Sequence, residues 1–372
     1  MINNSNGWKE FFSSRKNVIF TGIFIGISAA FLQKLGNPPN MGICVACMLR
    51  DTAGALGLHR AEVVQYIRPE ISGFVLGSLI AALIFKEFKP RAGSAPLVRL
   101  VLGFWAMVGS LVFLGCPWRT LLRLAGGDGN ALFGLVGLIV GIIIGIFFIK
   151  AGYNLGRNER TYPLVGWIMP VVMVVLLLLL IFRPQLPSGA VFFSRQGPGA
   201  QHAPIFIALL VALGIGFLAQ RTRFCTVAAV RDVILIRDNY LITGVISLWL
   251  AAFISNLLLG QFHPGFTGQP IAHSSQFWNF GGMVLAGLAF TLAGGCPGRQ
   301  LFLTGEGDAD AAFFILGMMG GASFAHNFAT ASSSTGPSPW GPPAVIIGFI
   351  VCLIIGFSRS DLGRAKEGEK NE

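Results

Sequence analysis

Charge is what this sequence has least of. Only 12% of its 372 residues are Asp, Glu, Lys or Arg, against 53% hydrophobic residues and a mean hydropathy of +0.69. A water-soluble fold needs a far more charged surface to stay dispersed, so the composition excludes one and implies a polytopic membrane protein. A Gly-x-x-x-x-Gly-Lys-Ser/Thr phosphate loop is absent, which leaves the chain without an ATPase motif of its own. No small-x-small cleavage site follows the first apolar segment; the chain reads Gln33-Lys34-Leu35-Gly36 there, and an uncleaved first span is expected. Met-rich and His-rich tracts are also missing, which argues against a soft-metal transporter. The six cysteines, at 44, 47, 116, 225, 296 and 352, sit on apolar segments and do not form an extracellular disulfide framework.

What is present is a series of apolar runs long enough to cross a bilayer, such as Leu132–Ile149 and Val165–Phe182. They predict ten spans, near 18–35, 70–86, 98–115, 131–150, 163–182, 204–219, 240–259, 278–294, 310–326 and 342–357. The net charge of +11 would suit a nucleic-acid binder, but the basic residues follow the loops. One side receives Lys9, Arg15 and Lys16, then Lys86, Lys89, Arg91 and Arg99, then Lys150, Arg157 and Arg160, and finally Arg359, Arg364, Lys366 and Lys370. The loops around 260–277 and 327–341 on the opposite side contain neither Lys nor Arg. The positive-inside rule then places both termini in the cytoplasm and removes the need for a nucleic-acid partner. The expected organisation is a cytoplasmic tail (1–17), a first membrane repeat (18–182), a connecting loop (183–203), a second membrane repeat (204–358) and a second cytoplasmic tail (359–372).

The two repeats are visible in the residues themselves. Ile43-Cys44-Val45-Ala46-Cys47-Met48-Leu49-Arg50-Asp51 aligns with Phe224-Cys225-Thr226-Val227-Ala228-Ala229-Val230-Arg231-Asp232 at an offset of 181. Gly115-Cys116-Pro117-Trp118-Arg119 aligns with Gly295-Cys296-Pro297-Gly298-Arg299 at 180, as does Gly127-Asp128 with Gly307-Asp308. With five spans in each half, an odd number, the second half must enter the membrane inverted, the arrangement that puts transport sites near the midplane. The motif-bearing segments 42–57, 117–125, 223–236 and 297–305 are too short or too polar to span. They are expected as re-entrant helices lining a pathway, since irregular backbone at membrane depth needs protein or a wet cavity around it.

Each proline of the Cys-Pro pairs stands where a helix should begin, which makes Cys116 and Cys296 N-caps beside free N–H groups and a positive dipole end. Arg119 and Arg299, three residues on, can add a forked contact to the same anion, or else pair with Asp128 and Asp308 or with lipid phosphate. Arg50-Asp51 and Arg231-Asp232 read as structural ion pairs at even odds with substrate steering. Cys44, Cys116, Cys225 and Cys296 are the candidate pathway residues because they repeat. Cys352 has no counterpart and is expected to pack, while Cys47 matches Ala228 and lies outside the repeated pattern. Gly137-x-x-x-Gly141-x-x-x-Gly145 is expected to let helices approach closely, and Gly126-Gly127-Asp128-Gly129 and Gly305-Glu306-Gly307-Asp308 to form turns.

These motifs resemble the YeeE/YedE family of bacterial sulfur-compound transporters over nearly the whole chain, from about residue 18 to 358. The ten-span form, with Cys-Pro-x-Arg and Gly-Glu-Gly-Asp, looks most like the YedE branch associated with selenium metabolism. The resemblance implies an all-α inner-membrane permease for thiosulfate or a related sulfur or selenium anion, with Cys44, Cys116, Cys225 and Cys296 near the centre of its path. It also implies a small cytoplasmic sulfur-carrier partner of the TusA type. Cys47 and Trp118 depart from the second half, which has Ala228 and Gly298. No enzymatic activity, cofactor or bound metal is expected. The rival readings are a thiol that carries substrate covalently as a persulfide or selenosulfide, a soft-metal transporter, and a membrane scaffold for the sulfur carrier.

Overall fold

The computed structural model describes residues 14–183 and 191–363; residues 1–13, 184–190 and 364–372, which belong to the expected tails and connecting loop, lie outside the described residues. The described chain is almost entirely helical. Its first half runs α1 (Arg15–Lys34), α2 (Val45–Ala55), α3 (Pro69–Ile84), α4 (Pro96–Phe113), α5 (Pro117–Ala125), α6 (Asn130–Lys150) and α7 (Pro163–Phe182). The second half repeats the order of lengths: α8 (Ile205–Thr222), α9 (Thr226–Ile236), α10 (Tyr240–Leu258), α11 (Gln276–Leu292), α12 (Pro297–Gly305), α13 (Ala309–Asn327) and α14 (Gly341–Ser358). The four short helices α2, α5, α9 and α12 coincide with the segments expected to be re-entrant. A two-residue ribbon, Arg91–Ala92 against Glu159–Arg160, is the one departure from helix among the paired elements described.

Prolines explain many of the starts. α3, α4, α5, α7, α12 and α14 have proline in the first two positions, where a missing N–H costs nothing and the fixed φ favours helix. Among the described residues nine helical stretches are long and apolar enough to cross a membrane. The tenth expected span, 310–326, is present as α13, but Asp310, His326, Asn327 and its run of Gly, Ala and Ser dilute its apolar content.

The two halves interlock pairwise, through glycines that let backbones touch. α1 lies along α10, with Gly22 on Gly244 and Gly26 on Leu248; α3 lies along α8, with Gly73 on Ala212 and Gly216 on Phe74. α6 lies along α11, where Gly137, Gly141 and Gly145 meet Phe280, Val284 and Thr291 in turn. α4 lies along α13, where Gly317 and Gly321 meet Leu100 and Phe104. In each case the residue numbers rise together, so the partners run in the same direction. Exchanging the halves turns the first pair into the second and the third into the fourth. The turns that end the short helices repeat this exchange. Gly127 and Gly307, at matched positions, both take a positive φ (97° and 92°), a conformation a side chain would strain. His263 and Gly265 donate backbone bonds to the carbonyls of Gly126 and Gly127, as Lys89 and Arg91 do to those of Glu306 and Gly307.

Candidate functional site

The short helices bring their cysteines to their N-termini. Cys116 and Cys296 occupy the N-cap positions of α5 and α12 with extended backbone. Cys44 and Cys225 hold the same place on α2 and α9, which the spacing to Arg50 and Arg231 had concealed. There each sulfur accepts a capping bond, from the N–H of Cys47 and of Ala228, both at 3.4 Å. All four are free thiols and are buried.

In the first half three sulfurs gather. The Sγ of Cys44 lies 3.0 Å from that of Cys47 and 3.7 Å from that of Cys116. Cys47, which the repeat left out, is therefore part of the group. Arg119 completes it: Nη1 donates to Cys47 Sγ at 3.1 Å, Nε to the Asn40 carbonyl at 2.8 Å, and Nη2 to the Ile271 carbonyl at 2.9 Å. Arg119 is fully buried and has no carboxylate partner among the described residues, because Asp128 is bound by Arg123 at 2.6 Å instead. A buried guanidinium neutralised only by carbonyls and sulfur, next to the positive ends of two helices, makes this region strongly anion-attracting. Asn40 also lines a cleft of about 460 Å³, together with Lys34, Gly126, Gln261, His263 and Gln269. The cleft ends on the peptide that Arg119 holds.

In the second half Cys225 Sγ accepts from the backbone N–H of Cys296 at 3.3 Å, joining the two caps. Arg299, the counterpart of Arg119, is occupied differently. Its Nη1 meets Glu306 Oε1 at 3.2 Å, and the same oxygen takes Arg223 Nη1 at 2.8 Å. Arg91 bonds Glu306 Oε2 at 3.3 Å and Asp308 at 2.7 Å. Glu306 stands where the first half has Gly126, so only the second half carries this carboxylate. Glu87 extends the charged lattice to Arg221 and Arg223. Burial alone would raise its carboxyl, but the Gln220 hydrogen bond and the two arginines outweigh that and hold it below the ordinary carboxylate range.

Arg50 and Arg231 lie apart from the sulfurs as neighbours' ion pairs, Arg50 with Asp51 at 2.6 Å and Arg231 with Asp232 at 2.8 Å. Asp51 also takes Arg68 at 2.7 Å, which fixes the loop after α2 against the start of α3. Cys352 is buried in α14, away from any other sulfur bond described.

Two residues past Cys116 stands Trp118, 1% exposed, ringed by Phe74, Phe224 and Phe302 with centroids 5.9 to 6.2 Å away. It rests on Gly298: a Cβ built there would lie 3.1 Å from Trp118 Cζ2. The two positions at which the Cys-Pro motifs differ thus face each other across the halves. Their difference in sequence was legible; their contact was not.

Residues 221–350 match the profile of a family described as sulphur transport. A stretch of 117 residues is 34% identical to the thiosulfate transporter TsuA of Spirochaeta thermophila, covering 30% of this chain and 33% of that protein, so the match spans about a third of the relative's length. The matched residues 221–350 contain the Cys225, Cys296 and Arg299 motifs together with Arg221, Arg223, Glu306 and Asp308. Over that region the chain is similar to the sulphur transport family and to a thiosulfate transporter.

Proposed function

We propose that the protein imports a small sulfur oxyanion of the thiosulfate class through a central path lined by Cys44, Cys116, Cys225 and Cys296. The observation that carries this reading is Arg119, a buried guanidinium without a carboxylate, bonded to Cys47 beside the N-termini of α2 and α5. An anion entering the cleft at Asn40 approaches that charge first. Thiol groups then offer weak S–H donors to a soft sulfur atom while the helix N-termini hold its oxygens. The matched thiosulfate transporter supports the choice of anion class.

The halves are read as inverted repeats, supported by the odd number of long helices in each and by the exchange of parallel pairs between them. With the basic loops inside, the protein sits in the bacterial inner membrane, both termini are cytoplasmic and the cleft opens outward. The Glu306 lattice then closes the inner end, where arriving anions compete with a carboxylate for Arg299 and Arg223. Selenium anions of similar shape and a cytoplasmic sulfur carrier of the TusA type belong to the same proposal, suggested by the motifs of the Gly-Glu-Gly-Asp form.

Purified protein in liposomes should accumulate radiolabelled thiosulfate. Cys116→Ala and Cys296→Ala should each lower uptake by about ten-fold or more, since each removes a donor inside a path with no water to replace it. Full uptake by both folded variants would remove the cysteines from the path. A covalent mechanism would instead transfer the sulfane sulfur to a thiolate and release sulfite, and a persulfide adduct in mass spectra of substrate-treated protein would establish it.

A further inference from the structure

Trp118 carries a feature that packing does not explain. Its ring fills space as an apolar side chain does, yet its indole N–H is fully buried and has no hydrogen-bond partner. An orphaned buried donor costs more than the bond it forgoes, and a phenylalanine in the same place would avoid that cost. The orientation of the ring is informative. The atoms nearest the Cβ position of Gly298 are Cζ2, at 3.1 Å, and Cε2, at 3.4 Å, and Cε2 is bonded to Nε1. The six-membered ring of the indole therefore rests on the first turn of α12, two residues past Cys296, with the N–H one bond from that contact.

A second orphan lies two residues from a ring that packs on Trp118. The Thr226 hydroxyl, next to Cys225 at the start of α9, is buried and likewise unpartnered. Its neighbour Phe224 packs on the Trp118 ring with centroids 6.1 Å apart. The sulfurs of Cys44, Cys47 and Cys116 lie on one side of Trp118 along the chain, and the Cys225–Cys296 pair lies beyond it. Trp118, two residues past Cys116, therefore touches Gly298 and Phe224, which flank Cys296 and Cys225, and so links the two groups.

We infer that Trp118 is a substrate-contacting specificity residue, whose indole N–H donates to an oxygen of the oxyanion as it passes from the first sulfur group to the second. The inference rests on the transport reading above and adds to it a donor that no cysteine supplies. A thiol reads the soft sulfur end of the anion; an N–H reads its oxygens. Gly298 serves this contact by having no side chain, which lets the indole edge reach the α12 N-terminus.

The test compares wild type, Trp118→Phe and Gly298→Ala, all verified as folded by gel filtration. Thiosulfate binding is measured by calorimetry in detergent, and uptake of thiosulfate and of hydrosulfide, which has no oxygen, is measured in liposomes. Trp118→Phe keeps an aromatic ring and loses the donor, so thiosulfate affinity should fall by a factor of about ten or more. The thiosulfate-to-hydrosulfide uptake ratio should fall with it. Gly298→Ala keeps the donor but pushes the ring edge away, so it should weaken thiosulfate in the same direction and decides the matter where the first variant does not fold. Wild-type protein that binds thiosulfate, together with variants of unchanged affinity and ratio, would overturn the inference alone. Wild-type protein that neither binds nor moves thiosulfate overturns the transport reading on which it rests.

Discussion

Arg119 and Arg299 occupy equivalent positions and have opposite fates. Asp128, five residues beyond Arg123 and nine beyond Arg119, is taken by Arg123 and leaves the Arg119 guanidinium to carbonyls and a sulfur, whereas Glu306 claims Arg299. The sequence shows both arginines and both aspartates, but not that Arg123 and Arg91 would take Asp128 and Asp308. Those pairings depend on how each short helix turns back, not on spacing. Cysteines were more legible, because a repeated position inside apolar sequence is rare without a cause. Cys47 was missed for the same reason, since it breaks the repeat while its sulfur sits 3.0 Å from Cys44. Asp51 allows a test of how such charges hold the site. It takes both Arg50 and Arg68, and all three residues are buried. Asp51→Asn leaves two guanidinium groups without a counter-charge and should cost about 3–5 kcal/mol, read as a large drop in the thermal midpoint of the detergent-solubilised protein. A midpoint within a degree or so of wild type would show that Arg68's bonds to the Gln201 and Pro198 carbonyls suffice.

The helices themselves were predictable from apolar runs, prolines and the motif spacing, and their bounds fall within a few residues of expectation. Their pairing was not, because Gly22, Gly77 and Gly141 announce close approach without naming the partner. One junction, where α3 ends against α8, carries a pH-sensitive tie. Glu87 follows α3 and binds Gln220, Arg221 and Arg223 at the end of α8. Its folded-state carboxyl titrates below the ordinary value of 4.5, so the charged form is favoured by folding. The stabilisation is fully present above that ordinary value and is lost as pH falls through the lower, folded value. Amide exchange in the 85–92 stretch should therefore quicken as the pH drops below about 4.5, and Glu87→Gln should remove that step while slowing nothing at neutral pH. An identical acid step in Glu87→Gln would show that Glu87 does not carry it.

At the scale of the whole molecule the argument turns on direction. Four helix pairs join the halves, each pair runs parallel, and exchanging the halves maps the pairs onto one another. The inverted arrangement proposed above accounts for this exchange, since it lets the first long helix of each half run parallel to the second long helix of its mate. The proposal predicts that the 260–270 loop, bound to the end of α5, lies on the opposite face from the 86–92 loop, bound to the end of α12. Thr267 and Lys89 are exposed in these loops, and all six native cysteines are buried, so single new cysteines can report the sides with little background. On intact spheroplasts a membrane-impermeant maleimide should label Thr267→Cys and spare Lys89→Cys, and inside-out vesicles should reverse the pattern. Labelling of both from one side would break the inverted arrangement. Labelling in the opposite order would keep it and turn the protein over, making the Glu306 lattice the outer end of the path.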